Sequence, residues 1–402
     1  MQMRESELLN HSGLLISACL GVICSSIVLP FYSIGVFVIP ITTEFGWTRA
    51  EFQLAILFST GTGIVTAPVV GMLIEKFGAR IVALCGLVGL SVAFLFAATT
   101  SNLWHLYAAY TLMALLGAGT IPVTWTTAVT AQFESQRGFA LGLVLSGTGL
   151  CAVLIPPVVA FITETWGWRM AYVFLACLPV FVSGPVVLRW FWPPGEARGK
   201  EHANVPVEGL SLPEAMRGYR FWVLLVSIFL VYIAMSGMVP NLIPALTDAG
   251  IAVTDAARAI SVFGIAVIVG RLTVGYLVDS LWAPGVAFVA ICLPVAGSLL
   301  LVDITSVHLA MFAAFLLGLA AGAELDLMSF LAAKYFGLLH YPRIYAWMYA
   351  ALALASGIAP MLFAWVFDQT QSYDIGFMVG SGCFMIGAVM LLMLGRYPRW
   401  QT

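Results

Sequence analysis

From residue 13 to residue 395 the chain is a succession of apolar runs, and one long polar stretch, PPGEARGKEHANVPVEGLSLPEAMRG at 193–218, interrupts them. Twelve runs can be marked, at 13–40, 51–73, 80–99, 103–130, 139–164 and 168–192, then 219–246, 256–279, 285–304, 307–335, 343–367 and 374–395. Most have the roughly 20 residues that a helix needs to cross a hydrocarbon core about 30 Å thick. No water reaches peptide groups in that core, so a continuous apolar run must close its hydrogen bonds as helix. A barrel would instead show alternating strands of about ten residues. Charged residues make up 9% of the 402, against about 25% in an ordinary soluble domain, too few to cover a soluble surface. The expected fold is an all-α membrane protein with twelve transmembrane helices. Six belong to an N-terminal bundle, 1–192, and six to a C-terminal bundle, 219–402, with 193–218 as the linker.

Lysine and arginine placement sets the expected orientation. With the N-terminus cytoplasmic, Arg4, Lys76, Arg80, Arg137, Arg189, Arg198, Lys200, Arg217, Arg220, Lys334, Arg343, Arg396 and Arg399 fall inside, and Arg49, Arg169 and Arg258 outside. Both termini and the linker are therefore expected in the cytoplasm, in a multi-pass protein of the cell (inner) membrane. The first run is too long for a signal-peptide core and lacks a processing site, so no cleavage is expected. A net charge of −2 gives no reason to expect nucleic acid as a partner. All seven cysteines lie within apolar runs without metal-ligand spacing, and read as small hydrophobes. Neither a metal nor a cofactor is expected.

The two halves repeat one another. PITTEFGWTRAEFQLAILFSTGTGIVTAPVVGMLIE (40–75) aligns without gaps, at an offset of 204, with PALTDAGIAVTDAARAISVFGIAVIVGRLTVGYLVD (244–279). Proline, acidic and glycine positions match: Pro40 with Pro244, Glu44 with Asp248, Glu51 with Asp255, Gly71 with Gly275, Glu75 with Asp279. The fourth and tenth runs match as AGTIPVTWTTAVTAQF against AGAELDLMSFLAAKYF. Duplicated six-helix halves are a transporter architecture, with the solute site near the membrane midplane.

The repeat also isolates what only one half carries. Arg271 aligns with Ala67, Glu324 with Ile121 and Asp326 with Val123. Arg271 stands eight residues before Asp279, and Asp326 eight before Lys334, so both lie roughly 12 Å inside the core at about 1.5 Å per residue. An unpaired charge there costs at least about 2.5–3.5 kcal/mol. These residues must pair, face water, or both. The planar fork of an arginine binds a carboxylate through two hydrogen bonds and keeps its charge at any working pH. A carboxyl in such a place suits proton binding, because burial favours its neutral form and a neighbouring arginine its ionised form. Two positions apart on a helix means about 200° of rotation, so only one of Glu324 and Asp326 is expected to face the cavity; Asp326 is favoured. The bland alternative is a static ion pair tying the eighth run to the tenth.

Other chemistries lack their motifs. GxxxxGK[ST], GxSxG and HExxH are absent, and no enzyme activity is expected. His105 and His308 stand at run ends and read as interfacial. Among the aromatics, Tyr32 and Trp125 are substrate-contact candidates, with Tyr232, Tyr345, Trp347 and Tyr349 behind them. Asn241, between Pro240 and Pro244, is a polar candidate on a kinked helix. The GxxxG at Gly376 and Gly380 reads as helix packing rather than dimerisation, and a monomer is expected.

At GMLIEKFGAR, 71–80, the chain resembles the signature loop of the major facilitator superfamily, GxLxDRxGRR. The resemblance implies a gating role for Gly71, Glu75, Lys76, Gly78 and Arg80 and, by the repeat, for Gly275 and Asp279. Within the superfamily, YSIGVFVIPITTEFGWTRAEF (32–52) and GRLTVGYLVD (270–279) resemble the monocarboxylate transporter and oxalate:formate antiporter group. Its members carry a substrate-binding arginine in the eighth helix, where Arg271 falls. Tyr32 stands where animal members have lysine, and Val267 where they have aspartate. The antiporters' eleventh-helix lysine has no counterpart. Glu324 and Asp326 are the acids left to replace the missing one. The expectation is alternating-access transport of a small organic monocarboxylate with a proton, Arg271 binding the carboxylate. Proton-driven efflux of a cationic or amphiphilic compound and a transporter-like ligand sensor are the competing readings.

Overall fold

The computed structural model describes residues 11–133, 137–191, 209–302, 304, 306–337 and 340–398. It divides into two compact units, Met1–Lys200 and Glu201–Thr402. The division falls within the expected linker, of which 193–208 lie outside the described residues. Among the described residues, eleven helical stretches are long and apolar enough to cross a membrane, and a shorter apolar helix, Leu103–Leu116, stands where a twelfth is due. The protein is an all-α, twelve-helix membrane protein.

The first unit contains α1 (Ser12–Ile23), α2 (Val28–Phe45), α3 (Arg49–Phe77), α4 (Ala79–Ala98), α5 (Leu103–Leu116), α6 (Pro122–Gln132), α7 (Arg137–Leu145), α8 (Gly147–Trp166), α9 (Trp168–Cys177) and α10 (Gly184–Trp190). A π-helical turn, Leu178–Ser183, joins the last two. Along α4, Ile81, Val88, Val92 and Leu95 are exposed while Val82, Leu87, Leu90 and Phe94 are buried. Both faces are apolar, as a helix between a protein core and lipid requires. At the start of α3 a capping box is complete: Thr48 accepts from the Glu51 amide, and the Thr48 amide donates to Glu51. Gly78 ends α3 at φ +83°, a backbone region that side chains with a Cβ rarely adopt.

Of the apolar runs that read as single helices, the first and the fourth are broken at proline. The first run stops at Ile23 and resumes at Val28. A straight helix here would set the Pro30 ring against the Ser26 carbonyl, and Pro30 has no amide to donate. The fourth run stops at Leu116, makes a 3-10 turn over Ala118–Thr120, and resumes at Pro122, where proline fits the first helical position. The breaks meet. The Ser26 amide donates to Thr120 Oγ1 at 2.9 Å, and a Cβ on Gly117 would stand 2.8 Å from that of Ser26. The break in the fourth run thus covers a backbone amide that the break in the first exposes. Thr120→Val should leave the Ser26 amide unpaired and cost about 1–3 kcal/mol, read as a lowered denaturation midpoint in detergent. An unchanged midpoint would show that the crossing carries no stability.

The second unit contains α11 (Leu212–Arg217), α12 (Tyr219–Asp248), α13 (Val253–Ser280), α14 (Ala283–Leu300), α15 (Val307–Phe336), α16 (Tyr341–Thr370) and α17 (Asp374–Leu392). Its tenth run stays one 30-residue helix, α15, because no proline stands where Pro122 breaks the fourth. Ahead of α12, the Leu210 amide donates to the Phe336 carbonyl at 2.8 Å, so the end of the linker is tied to the end of α15. At the start of α11, Glu214 accepts from the Ser211 amide and hydroxyl. Those bonds hold its carboxyl below the usual range.

Candidate functional site

Three glycines let α13 and α15 approach backbone to backbone. A Cβ on Gly318 would collide with the Phe263 carbonyl, one on Gly322 with the Val267 carbonyl, and one on Gly270 with the Leu319 carbonyl. Gly318 and Gly322 are four residues apart on one face, and Gly270 answers from the opposite helix, an arrangement known from membrane helix pairs. The pairing sets the charges. Arg271 follows Gly270 on α13, and Asp326 comes one turn after Gly322 on α15.

Arg271 Nε lies 3.3 Å from Asp326 Oδ2, with 5% of the arginine side chain and 42% of the aspartate side chain exposed. The distance makes an ion pair, yet the angles fall outside hydrogen-bond range: Nε and Nη1 both lack a hydrogen-bond partner. A nearly buried guanidinium is therefore held by one off-axis carboxylate on one edge. Much of its donor capacity is unused, and a buried unused donor is costly. The arrangement favours an incoming planar anion that can accept from the fork.

Glu324 lies on the other side of α15. It is 7% exposed, and its Oε1 has no hydrogen-bond partner. It lines a small cavity inside the second unit together with Tyr232 and Ser227 of α12. Tyr232 stands within electrostatic range of Glu324, Arg271, Tyr345 and Tyr349. Tyr349 and Trp347 are exposed.

The remaining candidates are dispersed. Trp125 is fully buried in the first unit; its Nε1 donates to the Thr120 carbonyl at 2.8 Å, and its ring meets Phe191 edge-on. Asn241 is fully buried in the second unit and donates to the carbonyls of Gly237 and Pro360, bracing α12 against α16. Neither reaches solvent in this conformation. Tyr32 is half-buried, edge-on to Phe31. Of the loop residues, Lys76 is exposed with Nζ 5.1 Å from the Phe77 ring centre, and Arg80 Nη2 donates to the Leu188 carbonyl at 2.6 Å. Gly71 and Gly275 have open space where a Cβ would stand. The side chains of Glu75 and Asp279 lie outside the described residues.

Sequence reasoning missed Gly270, Gly318 and Gly322, although small-xxx-small spacing is written in GLAAG at 318–322. No group of His, Cys, Asp and Glu with metal-holding geometry occurs among the described residues.

The chain, whose second unit holds a nearly buried arginine paired with an aspartate, matches the Major Facilitator Superfamily over residues 14–360. The chain belongs to this superfamily. Among curated relatives, human Monocarboxylate transporter 11 is 26% identical over 350 residues, covering 82% of this chain and 72% of the relative. Multidrug resistance protein MdtG of Klebsiella pneumoniae is 24% identical over 385 residues, covering 93% of this chain and 90% of its own. The crystal structure of a bacterial homologue of the human lysosomal transporter Spinster, in an inward-facing and occupied conformation, gives a TM-score of 0.69. Its sequence identity is 16%, over 99% of this chain and 98% of that one. That likeness concerns the fold alone. Major facilitator proteins are transporters.

Proposed function

We propose that this major facilitator protein is a secondary active transporter of a small organic monocarboxylate, moved together with a proton by alternating access. The observation that carries the reading is the nearly buried Arg271 guanidinium, whose Nε and Nη1 lack hydrogen-bond partners and whose counter-ion, Asp326, sits off-axis on one edge. A carboxylate meets that need with two charge-assisted hydrogen bonds. The likeness to Monocarboxylate transporter 11 supports the substrate class.

In the empty carrier the pair neutralises itself. Protonation of an acid on α15 removes one negative charge from the neighbourhood of Arg271, and the substrate carboxylate takes the unused donors of the guanidinium. Anion and proton then cross without net charge, which removes the cost of carrying a bare ion through hydrocarbon. Gly71, Glu75, Lys76, Gly78, Arg80, Gly275 and Asp279 form the gate, with both termini cytoplasmic.

The test is pH-driven uptake of labelled lactate, pyruvate and benzoate into proteoliposomes. Wild type should accumulate at least one of them when the outside is acidified, and a protonophore should abolish the accumulation. Of Glu324→Gln and Asp326→Asn, each of which mimics a permanently neutral acid, the one that replaces the coupling acid should retain binding and exchange but lose most of the accumulation. Binding without accumulation in wild type would turn the reading towards a sensor. A second reading, efflux of a cationic or amphiphilic compound, draws on the likeness to MdtG along nearly the whole chain; export of a dye cation that Arg271→Lys leaves intact would favour it.

A further inference from the structure

Glu324 sits in surroundings that an ionised carboxylate does not tolerate. It is 7% exposed, and among the described residues it makes no ion pair, Arg271 being paired with Asp326 instead. The cavity beside it has a volume of about 30 Å³ and is lined by Leu224, Ser227 and Tyr232 of α12, Ile291 of α14, Leu327 of α15 and Leu391 of α17. That is room for one water. The groups able to bond such a water are the Glu324 carboxyl, the Tyr232 hydroxyl and Ser227 Oγ, whose own proton goes to the Gly387 carbonyl at 2.8 Å. The titratable and charged groups facing the cluster are few. Tyr232 comes from α12, Arg271 from α13, and Tyr345 and Tyr349 from α16. From α14 and α17 the lining residues, Ile291 and Leu391, are apolar. Asp326, on α15 itself, is turned towards Arg271.

Tyr232 has a particular place in this cluster. It lines the cavity beside Glu324, it is half-buried rather than sealed, and it stands within range of both Glu324 and Arg271. A phenol both donates and accepts, so it can take up one proton and release another towards Glu324 without becoming charged.

We infer that the two acids of α15 have separate tasks: Asp326 is the counter-ion of Arg271, while Glu324 is an occluded acid that holds the transported proton and exchanges it through Tyr232. In the conformation described here Glu324 is the neutral acid, since an unpaired carboxylate in apolar surroundings costs several kcal/mol. The coupling role rests on the transport reading above; the protonated state does not.

Infrared difference spectroscopy on the purified protein tests the state directly, with no substrate present. At neutral pH the wild type should show the C=O stretch of a protonated carboxylic acid. Glu324→Gln should abolish that band, Asp326→Asn should retain it, and Tyr232→Phe should slow its hydrogen–deuterium shift at least tenfold. A band unchanged in Glu324→Gln, or no band in wild type, overturns the inference, and an unchanged exchange rate in Tyr232→Phe overturns the route. If Glu324→Gln does not fold, a hydrophobic carbodiimide, which reacts with buried neutral carboxyls, supplies the answer on wild type by peptide mapping. Label on Glu324 supports the inference; label on Asp326 alone, or on neither, defeats it. Should the carboxylate panel fail while the band disappears in Glu324→Gln, the substrate reading falls and the proton site stands.

Discussion

Arg271→Ala is expected to lower proton-driven monocarboxylate uptake at least about a hundredfold while leaving a folded protein. Two charge-assisted hydrogen bonds contribute about 1.5–3 kcal/mol each, and about 2.7 kcal/mol is already a hundredfold. Folding is less exposed to the change than the usual buried ion pair, whose breakage costs about 3–5 kcal/mol. The partner left behind, Asp326, has 42% of its side chain exposed and can be hydrated. Arg271→Lys separates charge from shape. It keeps the cation but replaces a rigid fork with a single ammonium, so uptake should fall about tenfold, between wild type and alanine. Initial rates in proteoliposomes, normalised to reconstituted protein, decide the matter. Wild-type rates in the alanine variant would reduce Arg271 to a tie between α13 and α15 and move cation efflux to first place.

The efflux reading makes the opposite demand on the same residues. A cation site needs net negative charge, and the described cluster supplies one guanidinium, one partly exposed carboxylate and one sealed carboxyl. With Glu324 neutral, the Arg271–Asp326 pair sums to zero and leaves nothing for a cation to neutralise. An anion needs no net charge there: the unused Nε and Nη1 donors of Arg271 offer it hydrogen bonds, and an accompanying proton balances its charge.

Much of this was legible in the sequence, for a physical reason. A bilayer leaves a chain few options, so run length gives the helices, and the offset of 204 shows which features both halves share. Arg271, Glu324 and Asp326 stood out because each aligns with an apolar residue in the other half, and helix rotation already set the two acids on opposite faces. The helix breaks at 24–27 and 117–121 were less visible. They depend on Pro30, Gly117 and Pro122 acting together across two helices, and apolarity carries no trace of such a crossing. The partners of Trp125 and Asn241 were hidden in the same way: Thr120 takes the Trp125 indole N–H, and Gly237 and Pro360 take the Asn241 amide nitrogen. The polarity of a residue can be read from a sequence, whereas the neighbour that satisfies it depends on tertiary packing.

Packing is also where the second large effect is expected, away from any charge. Gly322→Ala places a methyl group against the Val267 carbonyl and 2.8 Å from the Arg271 amide nitrogen. Both are backbone atoms of a membrane helix, so no side chain can swing aside, and α13 and α15 must separate. Overpacking of this kind costs about 1–3 kcal/mol, read as a fall of several degrees in the melting temperature in detergent. The separation also widens the Arg271–Asp326 gap, so uptake should drop with every chemical group of the site still present. Gly275→Ala is the control. It lies four residues beyond Arg271 on α13, nothing approaches its added methyl within 4 Å, and alanine is a better helix former by up to about 1 kcal/mol. Its melting temperature should hold or rise, and a loss of uptake there would report on the gate rather than on packing. If Gly322→Ala melts and transports like wild type, the close approach of the two helices does not set the geometry of the site, and Arg271 must be positioned by something other than this glycine contact.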